Sequence, residues 1–205
     1  MNTVQLVIEF LGTFAFAISG IRLAALKKFD WFGGYVVGLA TAIGGGTIRD
    51  VMLGITPFWM TNSIYLICTA AALGLAVTFK RTLKRFNNAY FLFDTLGLAL
   101  FTIAGIQKTL YVGLPFWVAI IMGCITGAAG GVMRDVLINE VPLIFRKEIY
   151  ATAAILGGLV YQLCYNLGVH VEITVISSFI TVVAVRLLSV RFQISLPHLK
   201  ESSND

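Results

Sequence analysis

Residues 44–53 read GGGTIRDVML and residues 129–138 read AGGVMRDVLI. Each phrase holds a Gly-Gly pair, two further residues and then Arg-Asp-Val, and each closes a long apolar run. Shifted by 85 positions, the chain aligns with itself around these phrases without a gap. Leu11, Gly12, Phe16, Ile18, Gly20 and Ile21 meet Leu96, Gly97, Phe101, Ile103, Gly105 and Ile106. Gly38 and Thr41 meet Gly123 and Thr126, Pro57 meets Pro142, and Ile64 and Tyr65 meet Ile149 and Tyr150. Apolar residues coincide by chance, but Gly, Arg, Asp and Pro are costly in a membrane helix and here coincide together. The chain is an internal duplication.

Composition says where it folds. Of 205 residues, 58% are hydrophobic and only 12% are charged, about half the charged share of a soluble domain. No charge falls in Phe58 to Phe79, Thr109 to Met133 or Ile149 to Val169. Apolar runs of about 18 residues or more read as transmembrane helices. A small domain could not wrap several helices that are apolar all round. The reading is all-α and polytopic, with seven spans near 3–25, 32–52, 58–79, 89–107, 112–137, 148–168 and 171–190. The last has a short core flanked by Glu172 and Arg186. The first is a retained span and not a leader, because no basic region precedes it and because it recurs in the second copy.

Residues 1–190 thus form one transmembrane domain: repeat one over about 3–79, repeat two over about 88–168, a seventh helix over about 171–190, then a tail, 191–205. Three spans per copy is an odd number, so the second copy enters the bilayer from the opposite side. Such inverted repeats commonly place a substrate or ion site near the midplane. One set of alternate loops holds Arg22, Lys27, Lys28, then Lys80, Arg81, Lys84, Arg85, then Arg146, Lys147, then Arg191 and Lys200. The other holds little beyond Lys108. Lys/Arg bias marks the cytoplasmic side, so the N-terminus is expected outside and the C-terminal tail inside. The net charge of +5 reflects this sorting and not nucleic-acid binding.

Tandem glycine weakens a helix by about 1 kcal/mol per residue relative to Ala. Gly44, Gly45 and Gly46, and Gly130 and Gly131, are therefore expected to break the second and fifth spans. The bland alternative is close helix contact, for which Gly34/Gly38 and Gly123/Gly127 already have the spacing. Neighbouring helical positions do not face each other. Arg49 is thus not expected to neutralise Asp50, nor Arg134 to neutralise Asp135. Both pairs either face a cavity or partner or snorkel to the interface. Glu9 and Asp94 also correspond across the repeat and share the depth of their own copy's arginine, which makes Glu9–Arg49 and Asp94–Arg134 candidate pairs. Thr41 and Thr126, about one turn before each glycine pair, either offer hydroxyls to a passing cation or bond their own preceding carbonyls.

Enzymatic chemistry finds no support. His170 and His198 are the only histidines, no cluster has metal-ligand spacing, and no serine sits in a nucleophile motif. The glycines are not followed by the Lys-Ser/Thr of a phosphate loop. Cys68, Cys124 and Cys164 lie inside spans and read as small buried hydrophobes. No cofactor is implied.

GGGTIRDVMLG and GAAGGVMRDVLINEVPLIFRKEIYATAA resemble the signature segments of the prokaryotic trimeric intracellular cation channels, a group also catalogued as a bacterial glycine-transporter family. The resemblance spans about residues 4–190. It implies a homotrimer with one pore per protomer for monovalent cations, chiefly potassium. The pore would be lined by second and fifth helices kinked at Gly44 to Gly46 and at Gly130 to Gly131, with a milder second kink because Ala129 stands opposite Gly44. It also implies a bacterial or archaeal inner membrane, with anionic lipids as partners at basic inner loops such as Lys80 to Arg85. A carrier for glycine or a similar small amino acid is the other reading: half-helix N-termini suit a carboxylate, exposed carbonyls suit a cation.

Overall fold

The computed structural model describes residues 3–79, 89–145 and 149–194. The basic loop Lys80 to Arg85, the pair Arg146 and Lys147, Lys200 and the tail beyond Ile194 lie outside the described residues. Within them the chain is all-helical, with no strand. In order come α1 (Thr3–Leu26), α2 (Trp31–Met52), α3 (Phe58–Thr61), α4 (Ile64–Thr78), α5 (Ala89–Tyr111), α6 (Phe116–Leu137), a 3-10 turn (Leu143–Phe145), α7 (Ala151–Asn166) and α8 (Val171–Arg191). Five of these, α1, α2, α5, α6 and α8, are long and apolar enough to cross a membrane. Large apolar side chains such as Ile67, Ile173 and Ile180 point outward, as a lipid-facing surface requires. The protein is a multi-pass membrane protein.

Helix boundaries correct the sequence reading: α5 runs past the expected 107 to Tyr111 and takes Lys108 out of the loop, α6 starts only after Pro115, and the third span is divided. An unbroken span over 58–79 was expected, but the chain makes the single turn α3, opens at Asn62 and restarts as α4, 15 residues long. The cause is local. The Phe58 N–H is held 2.8 Å from Asp50 Oδ2, which pins α3 to the end of α2. Asn62 Oδ1 then accepts from the Ile64 N–H at 3.0 Å, a side-chain turn that competes with helix.

α2 and α6 end alike. Gly54 has φ +69° and lets Ile55 N–H reach back to Asp50 O at 2.9 Å; Asn139, 85 positions on, has φ +56° and lets Glu140 N–H reach Asp135 O at 2.8 Å. Gly and Asn are the residues that tolerate this left-handed cap.

α1, α2, α5 and α6 form the centre; α4 leans on α1 and α2, α7 on α5 and α6, and α8 on α5 and α7. Matching residues of the two repeats meet in the core: the rings of Phe16 and Phe101 stack with centroids 5.4 Å apart.

The expected breaks at the glycines are absent: α2 and α6 are α-helical throughout. Close approach explains the glycines instead. A Cβ on Gly45 would overlap the carbonyl oxygen of Thr126, and a Cβ on Gly130 that of Thr41. One on Gly44 would overlap Met133 Sδ, one on Gly46 the Phe58 ring, and one on Gly131 would stand 2.8 Å from the Tyr150 hydroxyl. Contact with a neighbour offsets what glycine costs the helix, and an intact helix keeps every backbone group bonded in the bilayer.

Candidate functional site

Gly45 faces Thr126 while Thr41 faces Gly130. α2 and α6 therefore run antiparallel through their crossing, and their Arg-Asp ends point to opposite ends of the bundle. The threonine hydroxyls take the bland option: Thr41 Oγ1 donates to Val37 O at 2.6 Å, and Thr126 Oγ1 to Met122 O at 2.5 Å. Both side chains are buried.

At one end lies a cluster built on Arg49. Its Nη2 donates to Glu9 Oε1 at 3.2 Å and its Nε to Asp50 Oδ1 at 2.7 Å. The Tyr65 hydroxyl donates to Glu9 Oε2 at 3.0 Å. The guanidinium lies 5.7 Å from the centroid of the Phe58 ring. At the other end Arg134 repeats the pattern. Its Nη1 donates to Asp94 Oδ1 at 2.5 Å and its Nε to Asp135 Oδ1 at 2.9 Å. Tyr150 donates to Asp94 Oδ1 at 3.3 Å, and Leu143 N–H to Asp135 Oδ2 at 3.0 Å. Ser19 Oγ, from the first repeat, also accepts from Arg134 Nη1, at 2.8 Å.

So the structure brings Glu9 to Arg49 and Asp94 to Arg134, and it corrects the expectation that neighbouring Arg and Asp do not meet. Their Cβ atoms diverge on the helix, but the long arginine stem folds over the last turn. Each aspartate is also drawn to the same spot by the N–H eight residues on, which opens the following short helical turn. Snorkelling does not occur, since Arg49, Asp50 and Arg134 have no exposed surface and Asp135 is 4% exposed.

Two cations were not foreseen in these sites. Lys108 Nζ sits 3.1 Å from Asp50 Oδ1 and 3.2 Å from Oδ2. Arg186, fully buried, lies 3.7 Å from Asp94 Oδ2, donates to Ile149 O at 3.3 Å, and is stacked between Phe91 and Tyr150 at 4.9 and 4.8 Å. Each cluster then holds two carboxylates and two cations, and neither carries a net formal charge. The signals were present: Lys108 is the lone basic residue on the poor side of the loop bias, and Arg186 interrupts an otherwise apolar stretch. Tyr65 and Tyr150 stood among the repeat identities.

Comparison with known proteins follows the same duplication. The family model described as Glycine transporter matches residues 6–81 and again residues 91–166. The chain belongs to this family. The two matches start 85 residues apart, so one repeat is the family's own unit. Among relatives, a UPF0126 membrane protein of Vibrio cholerae is 40% identical over 93% of this chain and 80% of its own length. The UPF0126 inner membrane protein YadS of Escherichia coli is 37% identical over 93% of both. Among solved structures, the trimeric intracellular cation channel orthologue from Rhodobacter sphaeroides superposes with TM-score 0.89 at 31% identity, covering 94% of this chain and all of that one. A second structure, described as the basis for conductance through such channels, gives 0.85 at 34% identity over 96% and 98%. The resemblance read from the signature segments is therefore shown over 94 to 96% of the chain. These relatives are channels and membrane proteins, and this chain is not an enzyme.

Proposed function

We propose that this glycine-transporter family member is a monovalent cation channel of potassium type, a homotrimer with one pore in each protomer. The observation that carries the reading is full-length similarity to trimeric intracellular cation channels, at 31% identity and TM-score 0.89. The pathway runs along α2 and α6. Thr41, Gly45, Thr126 and Gly130 set its narrow middle, where two backbones touch, and Gly44, Gly46 and Gly131 flank it against the side chains of Met133, Phe58 and Tyr150. Arg49 and Asp50 set the field at one mouth and Arg134 and Asp135 at the other, steadied by Glu9 and Asp94. Charges held this deep in an apolar bundle are functional by default.

The architecture goes with it: one transmembrane domain of seven spans, with α4 and α7 as the shorter third and sixth, two inverted three-helix repeats and a last helix. The chain sits in a bacterial or archaeal inner membrane with its N-terminus outside and its C-terminal tail in the cytoplasm. Anionic lipids meet the basic inner loops.

A carrier for glycine or a similar small amino acid is the second reading, favoured by the family description itself. Purified protein in planar bilayers, beside glycine uptake in proteoliposomes, separates the two. Single-channel current steps in potassium salt are expected. Saturable glycine uptake without steps would replace the channel with the carrier.

A further inference from the structure

The duplication gives the bundle two related crevices, one at each end. Each lies between the first and third helices of one repeat. The first, of about 430 Å³, has Arg22, Ala25, Leu26, Lys28 and Ala76 in its wall. The second, of about 480 Å³, has Gln107, Leu110, Tyr111 and Tyr161 in its wall. These stand 85 positions after Arg22, Ala25, Leu26 and Ala76. One place in the fold therefore carries two different chemistries.

In the first crevice Arg22 is half-buried and Lys28 exposed, and neither side chain has an ion-pair partner among the described residues. Asp30, the one acid among the described residues lining it, caps α2 by accepting from the Gly33 N–H at 2.7 Å. The second repeat supplies the control. Gln107 stands in place of Arg22, and Gly113 in place of Lys28. Lys28 has φ +63° and Gly113 φ +86°, the left-handed cap that favours glycine. The first copy thus holds a lysine where the backbone suits glycine. The cation in the second wall, Lys108, is bound to Asp50. Only the first crevice offers two unpaired positive charges. The rest of its wall is apolar: Leu73 and Val77 of α4 line it, and Leu26, Phe29 and Trp31 stand exposed around it. An exposed tryptophan in that position suits the boundary between membrane and water.

We infer that this crevice holds an anionic phospholipid, with its phosphate on Arg22 and Lys28 and an acyl chain along Leu73 and Val77. Guanidinium and ammonium donors bind phosphate oxygens, and basic pockets between transmembrane helices take anionic head groups. A soluble anion would satisfy the two cations and leave the apolar wall uncovered; a phospholipid satisfies both. The inference makes specific the anionic-lipid contact proposed above. It rests on the proposed topology for the leaflet, the inner one, and not for the site. The contact belongs to one copy alone, because the second crevice has no cation to spare for a phosphate.

The test is native mass spectrometry of the full-length protein released from neutral detergent with added phosphatidylglycerol or phosphatidylcholine. Wild-type protein should retain phosphatidylglycerol at a several-fold lower lipid concentration than phosphatidylcholine. Arg22→Gln and Lys28→Gly give the first copy the residues of the second, and each should need several-fold more phosphatidylglycerol. Lys28→Gly also relieves the left-handed backbone, so it keeps the test decisive if Arg22→Gln does not fold. Arg191→Gln removes a charge outside the crevice and should retain lipid as the wild type does. Equal retention of the two lipids by the wild type would overturn the site, as would unchanged retention in both crevice variants or an equal loss in Arg191→Gln. Retention of inorganic phosphate in place of phosphatidylglycerol, lost in the same variants, would make the occupant a soluble anion and overturn the lipid. Selective retention in a protein whose Ser203 position labels from outside would leave the site standing and remove only the topology.

Discussion

Gly45→Ala puts the helix crossing to a quantitative test. The substitution adds one methyl group in the middle of α2. Helix propensity alone favours it by about 1 kcal/mol. Space opposes it. The new methyl would overlap Thr126 O and stand 3.1 Å from Thr126 C and 3.3 Å from Gly130 N. All three are backbone atoms of a continuous helix, so no side chain can swing away. Overpacking of this kind costs roughly 1–3 kcal/mol, and the rigid opposing surface puts it at the upper end. The net expectation is a loss of roughly 1–2 kcal/mol, the overpacking cost less the propensity gain. Gly130→Ala meets Thr41 O in the same way and should lose as much. The double variant should lose less than the sum, because one separation of the helices accommodates both methyls. Gly74→Ala is the control: nothing lies within 4 Å of its would-be Cβ, so propensity alone should stabilise it by up to about 1 kcal/mol. Unfolding of each variant in mixed micelles, followed by tryptophan fluorescence, measures all four. Gly45→Ala as stable as Gly74→Ala would refute the reading of the glycines as contact residues.

Asp94→Asn and Arg134→Gln should each destabilise by about 3–5 kcal/mol, since either strands a buried charge; the double variant should fall short of the sum, and strict additivity would mean the pair contributes nothing jointly. Arg186→Met should unfold earlier than Arg186→Lys in the same assay, because only the lysine keeps a positive charge beside Asp94, and the reverse order would sever the last helix from the second cluster. A cysteine placed at Ser203 in a Cys-free background should label only once the inner membrane is permeable. Asp135→Asn should lower cation over anion selectivity in bilayers, and unchanged reversal potentials would take Asp135 out of the pathway.

Much of this protein was legible because the duplication is written in costly residues. Repetition of Gly, Arg, Asp and Pro at one fixed offset revealed two copies, and shared depth put Glu9 with Arg49 and Asp94 with Arg134. What escaped was whatever depends on reach and on contact between copies. Sequence spacing gives Cβ directions, so it separated Arg49 from Asp50, while a four-bond side chain closed the gap. Composition gives the intrinsic weakness of glycine, so it suggested a break, while the carbonyls of Thr41 and Thr126 lie on the opposite helix and appear in no local window. Lys108 has no counterpart in the other copy and Arg186 lies on the last helix, outside both copies, so reading by repetition passes over them.

The α2–α6 crossing carries a further consequence. Gly45 meets Thr126 and Gly130 meets Thr41, so each copy presents the same patch to the other. That is an isologous contact, the kind two separate identical chains make. A polypeptide holding one copy alone would carry the whole of this self-complementary surface and could pair with a second molecule inserted in the opposite sense. Fusion into a single chain freed the copies to diverge, and Leu23 against Lys108 records where they have: the halves still embrace symmetrically but no longer carry the same charges.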